Sequence, residues 1–534
     1  MASVSALLAK HTAFRLSCVD RIFAQGYVPG LQTEGMVVRF LLHRGYPIPS
    51  PAGLGVIHER LIADIHDYAA AHDIAMEHFP RRACKEDIVA PYLRAAAETG
   101  RDSVVYIGIA QERVSGWRGF RRGGSDRHPH FCYRRQALWV NHYYFYVWDR
   151  RFGPGFFKLC PYAPYPVWAW CNGHEWLKQQ LIAAGVAFRA LDNGIRDCAE
   201  PRAAQHLADT LDAGHVRGFL NRWLSRLPSP LTGADQAAGF GYDWSIRQIE
   251  FSDTAVFDQP ANGRAWFDAA IKEHLDLGRP EKVTLVVDRR IMPNTPGRFA
   301  TQVITRDIDP TIQIHYKSSK VKAYLKDGRA LRVETTINNP RDFGVRKPLT
   351  VENWTALRQA GTAVNTRFLD AVGRGAPPPP DVTTLQQVVL PSTHEGLRAP
   401  GLRFGDPRVM ALLATLATFG HLIGGLTNAT LVAAMQPQLD HPYTRQQATY
   451  DLRRLRRKGL IERLPGHNRY RITPYGRQIA CFFTKLSARV VVPTLTDLDQ
   501  LSAPDRPAGR PLSRAWRYYE RTLTELLTTA GLTT

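Results

Sequence analysis

The spacing of apolar residues in the N-terminal part of the chain predicts alternating helices and strands. Apolar side chains recur at helical spacing over residues 56–71, and the segment KEDIVAPYLRAAAETG predicts a second helix that stops at Gly100. The apolar run SVVYIGIA at residues 103–110 predicts a buried strand, and the aromatic block at residues 141–170 predicts further strands and turns. The segment EWLKQQLIAAG predicts a short helix closed by Gly185.

The pattern changes further along the chain. Residues 201–280 are mainly helical in pattern, whereas residues 282–337 alternate like antiparallel strands. The segment GRGAPPPPD at residues 373–381 cannot continue a helix or a central strand, so it marks a boundary, and the residues that follow it to Gly405 are loop-like. A chain of 534 residues is too long for one core. We therefore expect an α+β multidomain protein whose body combines a mixed or antiparallel sheet with helices.

The C-terminal part of the chain shows a compact helical pattern. Residues 406–419 and 428–435 predict two helices, and Thr427 can cap the second. The segment TRQQATYDLRRLRRKGL predicts a third helix that opens with a capping box at Thr444 and Gln447. The apolar stripe of this third helix consists of Ala448, Leu452, Leu455 and Gly459.

Two short strands and a last helix follow. The segments LIERL and RYRIT predict a hairpin around residues 465–468, and Thr473 caps the closing helix. This order of elements and the string DLRRLRRKGLIER…RYRIT closely resemble the winged helix-turn-helix superfamily. The resemblance implies that the third helix meets the major groove of duplex DNA and that the hairpin lies beside it. The candidate nucleic-acid-binding residues are Arg445, Thr449, Arg453, Arg456, Arg457, Arg463, Arg469 and Arg471.

These boundaries divide the chain into six regions. They are an N-terminal α/β region (1–110), a basic loop with an aromatic-rich β region (111–200), a helical and then antiparallel β region (201–372), a proline-rich linker (373–405), the winged helix-turn-helix (406–490) and a C-terminal tail with a helix (491–534).

Composition favours a nucleic-acid partner. The formal net charge of +21 attracts polyanions. The seven cysteines form no CxxC motif, which suits a reducing compartment. The N-terminus lacks the pattern of a signal peptide, and the apolar residues 409–419 are too few to span a bilayer. We expect a cytoplasmic protein with no membrane partner.

The stretch IQIHYKSSKVKAYLKDGRALRVETTINN predicts a hairpin that turns at Asp327 and Gly328. A two-residue turn would pair Lys326 with Arg329 and would mix polar and apolar side chains on both faces. A three-residue loop with only Gly328 left-handed would pair Leu325 with Arg329 and would separate the two kinds of side chain, so we expect that loop. Its polar face would then hold Lys320, Lys322, Tyr324, Arg332 and Glu334.

This polar face has two interpretations. It is a solvated surface with cross-strand ion pairs, such as that of Lys320 with Glu334, or it is a site for phosphate groups. In the second interpretation the cations that contact nucleic acid are Lys320, Lys322, Lys326 and Arg332.

The string KAYLKDG..LRVE resembles the strand pair of initiator proteins from rolling-circle plasmids and filamentous phages. Those proteins nick DNA through a tyrosine with the help of a metal. The resemblance implies that Tyr324 is the nucleophile, that Lys326 contacts the phosphate and that Glu334 binds magnesium or manganese. The chain lacks the YxxK motif of that family, and its His-x-His pair, His128 and His130, lies in a basic loop.

Other segments carry further candidates. The stretch WRGFRRGGSDR is typical either of a surface loop or of a segment that binds nucleic acid, with aromatic rings stacked on bases and arginines on phosphates. The candidate nucleic-acid-binding residues in it are Arg118, Arg121 and Arg122. Asp288 and Glu112 lie near strand ends, where either could join Glu334 in a nuclease-like carboxylate cluster. Zinc-type ligands occur at His128, His130, Cys132, Cys171 and His174, but their spacing fits no standard zinc signature.

The stretches KED, NGHEW and LRVETTINN also resemble a group of bacterial proteins, and this resemblance implies no activity. The sequence as a whole predicts a DNA-binding protein of the mobile-element or replication type, with DNA nicking by the body as its enzymatic form. The alternatives are a transcription regulator without enzymatic activity and an RNA-binding protein. Nicking would use magnesium or manganese, whereas the regulator needs no metal. The sequence does not define an oligomeric state.

Overall fold

The structure is a computed structural model, and it describes residues 4–80, 83–125, 129–274, 284–285, 301–306, 309–373, 381–394, 397–417 and 425–487, with a few positions between 518 and 529. Helices and a large mixed sheet make up these residues, so the expected combination of α and β structure is confirmed. No helix among them is long and apolar enough to cross a membrane.

The helices follow the chain in this order: α1 Val4–His11, α2 Glu34–His43, α3 Pro51–Ala71, α4 Lys85–Thr99, α5 Gly173–Ala183, α6 Pro201–Thr210, α7 Ala213–Leu224, α8 Gly233–Ala237, α9 Pro260–His274, α10 Val351–Gly373, α11 Val382–Val389, α12 Pro407–Ala417, α13 Asn428–Met435, α14 Arg445–Arg457 and α15 Pro474–Leu486.

The strands are β1 Thr12–Tyr27, β2 Met76–His78, β3 Ser103–Gly124, β4 Pro129–Asp149, β5 Gly153–Leu159, β6 Val167–Asn172, β7 Phe188–Ala190, β8 Ile195–Cys198, β9 Asp243–Phe257, β10 Thr284–Leu285, β11 Thr301–Arg306, β12 Asp309–Tyr316, β13 Ser319–Lys326, β14 Ala330–Ile337, β15 Ser392–His394, β16 Leu397–Ala399, β17 Ile461–Arg463 and β18 Tyr470–Ile472.

The chain forms two compact units, and each is discontinuous in sequence. The body unit consists of Ala13–Val256 and Arg332–Asn365. The terminal unit consists of Met1–Thr12, Phe257–Leu331 and Thr366–Thr534.

A mixed sheet organises the body unit, in the hydrogen-bonded order β14, β9, β1, β6, β5, β4, β3, β2. Strands β3 to β6 form an antiparallel meander, because short connections join neighbours that run in opposite directions. Strand β1 pairs antiparallel with β6, with Arg21 opposite Asn172, and β2 pairs parallel with β3. Helix α7 buries Phe219 and Trp223, and its apolar face contributes to the core of this unit.

In the terminal unit, strands β10 to β13 pair in sequence order. The pair β10–β11 is parallel, and the pairs β11–β12 and β12–β13 are antiparallel. Helices α11 to α15 enclose a separate apolar core that includes Leu412, Leu431, Leu455 and Ile479. The predicted caps of α13, α14 and α15 are confirmed, because Thr427, Thr444 and Thr473 each accept a backbone N–H from their helix.

Three expected segments differ from the sequence pattern. Residues 111–124, expected as a basic loop, continue strand β3, because the ladder to β4 outweighs the weak strand propensity of glycine. Within residues 201–280, expected to be mainly helical, β9 runs for 15 residues. The region expected to be a linker contains helix α11 and the hairpin β15–β16.

Candidate functional site

Three carboxylates from neighbouring strands meet inside the body unit. Asp20 lies on β1, Glu250 on β9 and Glu334 on β14, and all three side chains are buried. One ligand oxygen from each lies within 4.8 Å of the others. We call these three residues the carboxylate cluster. Within the described residues, it is the one group of histidine, cysteine, aspartate and glutamate side chains with the spacing of a metal site.

Arg332 lies in the middle of this cluster with a side chain that is 0% exposed. Its Nη2 lies 2.9 Å from Asp20 Oδ2, and its Nε lies 3.0 Å from Glu334 Oε1 as an ion pair. Its Nη1 donates to the backbone oxygen of Asn193. One guanidinium therefore neutralises two of the carboxylates, as a planar fork of donors can.

His174 extends the cluster on the side of helix α5. Its Nε2 contacts Arg332 Nη2 and lies 2.8 Å from Ser252 Oγ. His174 thereby links Arg332 on β14 to Ser252 on β9.

Asp20 is surrounded by donors. Asn172 Nδ2 and Asn193 Nδ2 donate to its Oδ1 over 3.2 and 2.8 Å, and Arg332 binds its other oxygen. Burial raises the pKa of Asp20, but Arg332, His174 and the hydrogen bond from Asn193 together outweigh burial and hold that pKa below its ordinary value. Asp20 is therefore an ionised acceptor in the fold.

The buried carboxylate of Glu250 has weaker partners than that of Asp20. Thr336 Oγ1 donates to its Oε1 over 2.8 Å, and Arg21 Nε lies 3.6 Å from its Oε2. The side chain of Arg21 is 54% exposed, so solvent screens this pair. By formal charge, the cluster sets three carboxylates against the guanidinium groups of Arg332 and Arg21.

The local sequence explains how α5 reaches this cluster. Asn172 ends β6 and caps α5, since its Oδ1 accepts from the backbone N–H groups of His174 and Glu175. Its Nδ2 remains available to bind Asp20. Gly173 fits tightly, because a Cβ at that position would lie 2.1 Å from the backbone oxygen of Val19. In the motif NGHEW, the asparagine therefore caps α5 and the glycine allows the start of this helix to pack closely against β1.

The hairpin of Tyr324 turns differently from the expectation. Asp327 and Gly328 have φ of +48° and +63°, and Arg329 N donates to Lys326 O over 3.1 Å. This is a two-residue turn with both central residues left-handed, which suits an Asp-Gly pair because it matches the twist of the strands. The expected three-residue loop is wrong, and Lys326 lies opposite Arg329.

This turn changes which residues share a face. Side chains alternate along a strand, so Tyr324 has the orientation of Lys326 and of its partner Arg329. Arg332 and Glu334 have the opposite orientation along β14, and the grouping of Tyr324 with them is therefore wrong. Tyr324 also belongs to the terminal unit, whereas Glu334 belongs to the body unit. The half-buried side chains on this orientation of β13 are Lys320, Lys322, Tyr324 and Lys326.

Other candidates from the sequence lie apart from the carboxylate cluster. Glu112 pairs with Lys85 and Lys158, each at 3.0 Å, and accepts from Tyr144. Burial would raise its pKa, but Lys158 and Tyr144 outweigh burial and lower the pKa to about 2. Asp288 lies outside the described residues.

The zinc-type ligands are not brought together in the part of the chain that the structure describes. His174 binds Arg332, and Cys171 is a buried free thiol whose pKa is raised by burial. His130 and Cys132 lie on β4, and His128 is outside the described residues.

The basic residues of α14 divide into two groups. Arg454 and Arg457 donate to backbone oxygens of Gly401 and Arg398, and Lys458 donates to Gln387 O. These side chains hold the preceding segment against the helix. Those of Arg445, Arg453 and Arg456 are exposed, and no described residue accepts a hydrogen bond from them.

The hairpin β17–β18 carries three more of the candidates. Arg463 donates to Asn468 Oδ1 over 2.6 Å, and Arg471 Nε lies 2.6 Å from Glu462 Oε1; both arginines are exposed. Arg469 is half-buried and lies 3.4 Å from the phenol oxygen of Tyr316. The hairpin therefore presents two arginines to solvent and uses the third within the terminal unit.

A further basic surface of the body unit was not predicted from the sequence. An open cavity of about 450 Å³ is lined by Arg341, Gly344, Val345, Arg346, Lys347 and Pro348. Burial, followed by the charges of Arg247 and Arg341, lowers the pKa of Lys347. The basic residues that line the cavity are Arg341 and the adjacent pair Arg346 and Lys347, which is too short a run to mark a basic surface in the sequence.

Comparison with family models, curated proteins and solved structures finds no match for this chain.

Proposed function

We propose that this protein binds duplex DNA through its C-terminal region and acts in replication or in the movement of a DNA element. The proposal is supported by the order of α12, α13, α14, the hairpin β17–β18 and α15, which resembles the order in winged helix-turn-helix domains. The observation that carries the proposal is the row of Arg445, Arg453 and Arg456, which are exposed and have no acceptor among the described residues. Backbone phosphates and base edges are the acceptors such a row fits.

The contact between α13 and α14 supports this geometry. Asn428 Nδ2 donates to Arg445 O over 2.9 Å and to Thr449 Oγ1 over 2.8 Å. The start of α14 is thereby fixed against α13, as a recognition helix is fixed by the helix before it. Thr449 acts within this joint, and the arginines around it would make the contacts to DNA.

The test is the affinity of the full chain for duplex DNA at several salt concentrations. The variants Arg445→Ala, Arg453→Ala and Arg456→Ala each remove one exposed charge, and Arg60→Ala removes an exposed arginine of α3 that lies 4.0 Å from Asp64. Each α14 variant should weaken binding and reduce the slope of log K against log salt by about 1, because one phosphate contact is lost. Arg60→Ala should change neither. Equal affinities and slopes for all four variants would refute the proposal.

The enzymatic form of this function is DNA nicking by the body unit. The supporting observation is the carboxylate cluster, whose three oxygens are spaced for one ion and whose formal charge exceeds that of its arginines. Magnesium or manganese held there would polarise a phosphodiester. In this form Asp20, Glu250 and Glu334 are the ligands, and the attacking group is water.

Nicking is tested with supercoiled and single-stranded DNA, with and without magnesium or manganese. Asp20→Asn, Glu250→Gln and Glu334→Gln should each abolish cleavage, and Tyr324→Phe should leave cleavage by water unchanged. Asp253→Asn is the control, because Asp253 is a buried carboxylate on the same strand β9 that is paired with Arg15. Cleavage that survives the three cluster variants would exclude this site.

A transcription regulator without enzymatic activity is the second candidate function. The observation that favours it is Arg332, whose guanidinium already pairs with two of the three carboxylates, those of Asp20 and Glu334. In that case the cluster is a structural ion-pair network. Duplex binding that is independent of metal, with no cleavage in any buffer, supports the regulator.

A further inference from the structure

A long two-stranded segment of the body unit presents an uncovered basic face. Residues 113–124 of β3 pair with residues 129–139 of β4, and we call this segment the ribbon. Residues 113–139 contain seven arginines and a single acidic residue. Acidic residues of the same segment therefore balance almost none of its positive charge.

One face of the ribbon packs against the fold. Trp117 Nε1 donates to Leu31 O over 2.8 Å, and the hydroxyl of Tyr133 donates to Pro49 O over 2.8 Å. A Cβ at Gly119 would lie 2.4 Å from Pro51 Cγ, so this face is in close contact around Trp117, Gly119 and Tyr133. The ribbon is consequently held in place and is not a mobile loop.

The other face buries Val114 and Gly116 at its base. Beyond Gly116 it is open and carries two arginines side by side. Arg118 lies directly opposite Arg134 in the register of β3 and β4, and both side chains are exposed. Like charges opposite each other destabilise a sheet. Neither side chain makes a hydrogen bond or ion pair with a described residue, so a bound anion would relieve the repulsion.

An exposed aromatic ring lies beside this pair. Phe120 is 37% exposed, and the guanidinium carbon of Arg118 lies 5.9 Å from the centre of its ring. A phenyl ring in solvent next to two cations combines the two features that bind single strands, namely a stacking surface and phosphate contacts. Duplex DNA hides its base faces, so it would use the arginines but not the ring.

We propose that the open face of the ribbon binds single-stranded nucleic acid, with Arg118 and Arg134 on the phosphates and a base stacked on Phe120. This goes beyond duplex recognition, because the site lies in the body unit and takes a different form of nucleic acid. DNA and RNA share the chemistry that this face recognises, so the probes must separate them.

The test measures the affinity of the full chain for oligo-dT, oligo-U and duplex DNA by fluorescence anisotropy at one ionic strength. The variants are Phe120→Leu and the pair Arg118→Gln with Arg134→Gln. Matched controls are Trp139→Leu and Arg113→Gln, which lie opposite each other on the packed face at its exposed end; Trp139 is 68% exposed.

Phe120→Leu and the double arginine variant should weaken single-strand binding by about tenfold or more, as the loss of one stacked base does. The controls should stay within about twofold of the wild type, and Phe120→Leu should leave duplex affinity unchanged, because duplex DNA does not use the ring. Arg118→Lys should recover part of the loss, because it restores the charge without the planar fork. The preference between oligo-dT and oligo-U then identifies the natural strand.

Two results would overturn the proposal. One is the absence of single-strand binding by a wild-type chain that binds duplex DNA. The other is single-strand binding that both sets of variants reduce equally or not at all. Duplex affinity is recorded for every variant, so a failure of this proposal is distinguishable from a failure of duplex recognition by α14.

Discussion

Arg332 Nη2 and Asp20 Oδ2 lie 2.9 Å apart, and the two side chains are 0% and 1% exposed. The residues are 312 positions apart in the sequence, and their contact connects β14 to β1 inside the body unit. A buried pair of this kind is not a large net source of stability, since removing two charges from water is costly. Breaking it is another matter, because the remaining charge loses its partner.

Arg332→Met should therefore lower the free energy of unfolding by about 3–5 kcal/mol. The substitution leaves Asp20 and Glu334 buried without their shared guanidinium. Urea denaturation followed by circular dichroism measures the change. Adding Asp20→Asn should recover part of the loss, and Arg60→Met is the exposed control. A loss below about 1 kcal/mol would mean that the cluster is solvated in solution.

Gly173→Ala should destabilise the body unit by about 1–3 kcal/mol, the usual cost of overpacking. The new methyl group would meet the backbone oxygen of Val19 at 2.1 Å, and a backbone atom cannot move aside alone. Gly218→Ala is the matched control, because Gly218 lies within α7 and has nothing within 4 Å of its Cβ position. The control should keep or raise the melting temperature. Equal melting temperatures for the two variants would contradict the tight fit at Gly173.

Glu112 should make the stability of the protein dependent on pH in the acid range. Its pKa is lowered from 4.5 to about 2 in the fold, so its contribution is complete above about 4.5 and is lost as the pH falls towards 2. Glu112→Gln should flatten the dependence of the unfolding free energy on pH in that window. Urea titrations at several pH values test this, with the exposed Glu98→Gln as control. An unchanged slope would show that Lys85 and Lys158 do not hold the carboxylate in solution.

Lys458, a cation when protonated, should make the free energy of unfolding depend on pH in the alkaline range. Burial and the nearby Arg454 lower its pKa from 10.5 to about 8. Between about 8 and 10.5 the unfolded chain binds a proton that the folded chain does not, so stability should rise with pH across this window. Lys458→Met should remove this rise, whereas the exposed Lys10→Met should keep it. The difference in unfolding free energy between variant and wild type, followed against pH, measures the effect.

The sequence predicts the C-terminal elements better than the body. Thr427, Thr444 and Thr473 mark helix starts because capping is local, and a threonine near the right N–H groups is visible in the sequence. The distribution of the arginines of α14 between anchoring and exposed positions was not predicted, because it depends on the segment at residues 387–401.

The carboxylate cluster shows why the body is harder to read. Glu334 was singled out, but Asp20 and Glu250 were missed, because their strands were not recognised. In β9 the buried positions include Glu250, Ser252 and Asp253, so no apolar run or alternation marks the strand. Their partners are distant in sequence, and only the fold brings them together. The turn at Asp327 was misread for a related reason: β14 is buried on both faces, so separating polar from apolar side chains was the wrong criterion.

The division of the body unit between Ala13–Val256 and Arg332–Asn365 has a consequence for synthesis. Glu250 and Glu334 are 84 residues apart (334 − 250), which a ribosome takes roughly 4–17 s to add. Throughout that interval Asp20 and Glu250 lack Arg332, and β9 is an unpaired edge that invites association with other chains. Folding of the N-terminal half must therefore wait for residues made much later. A chain that stops before Arg332 should accumulate with chaperones or in aggregates, whereas one that ends after Asn365 contains every strand of the sheet of the body unit.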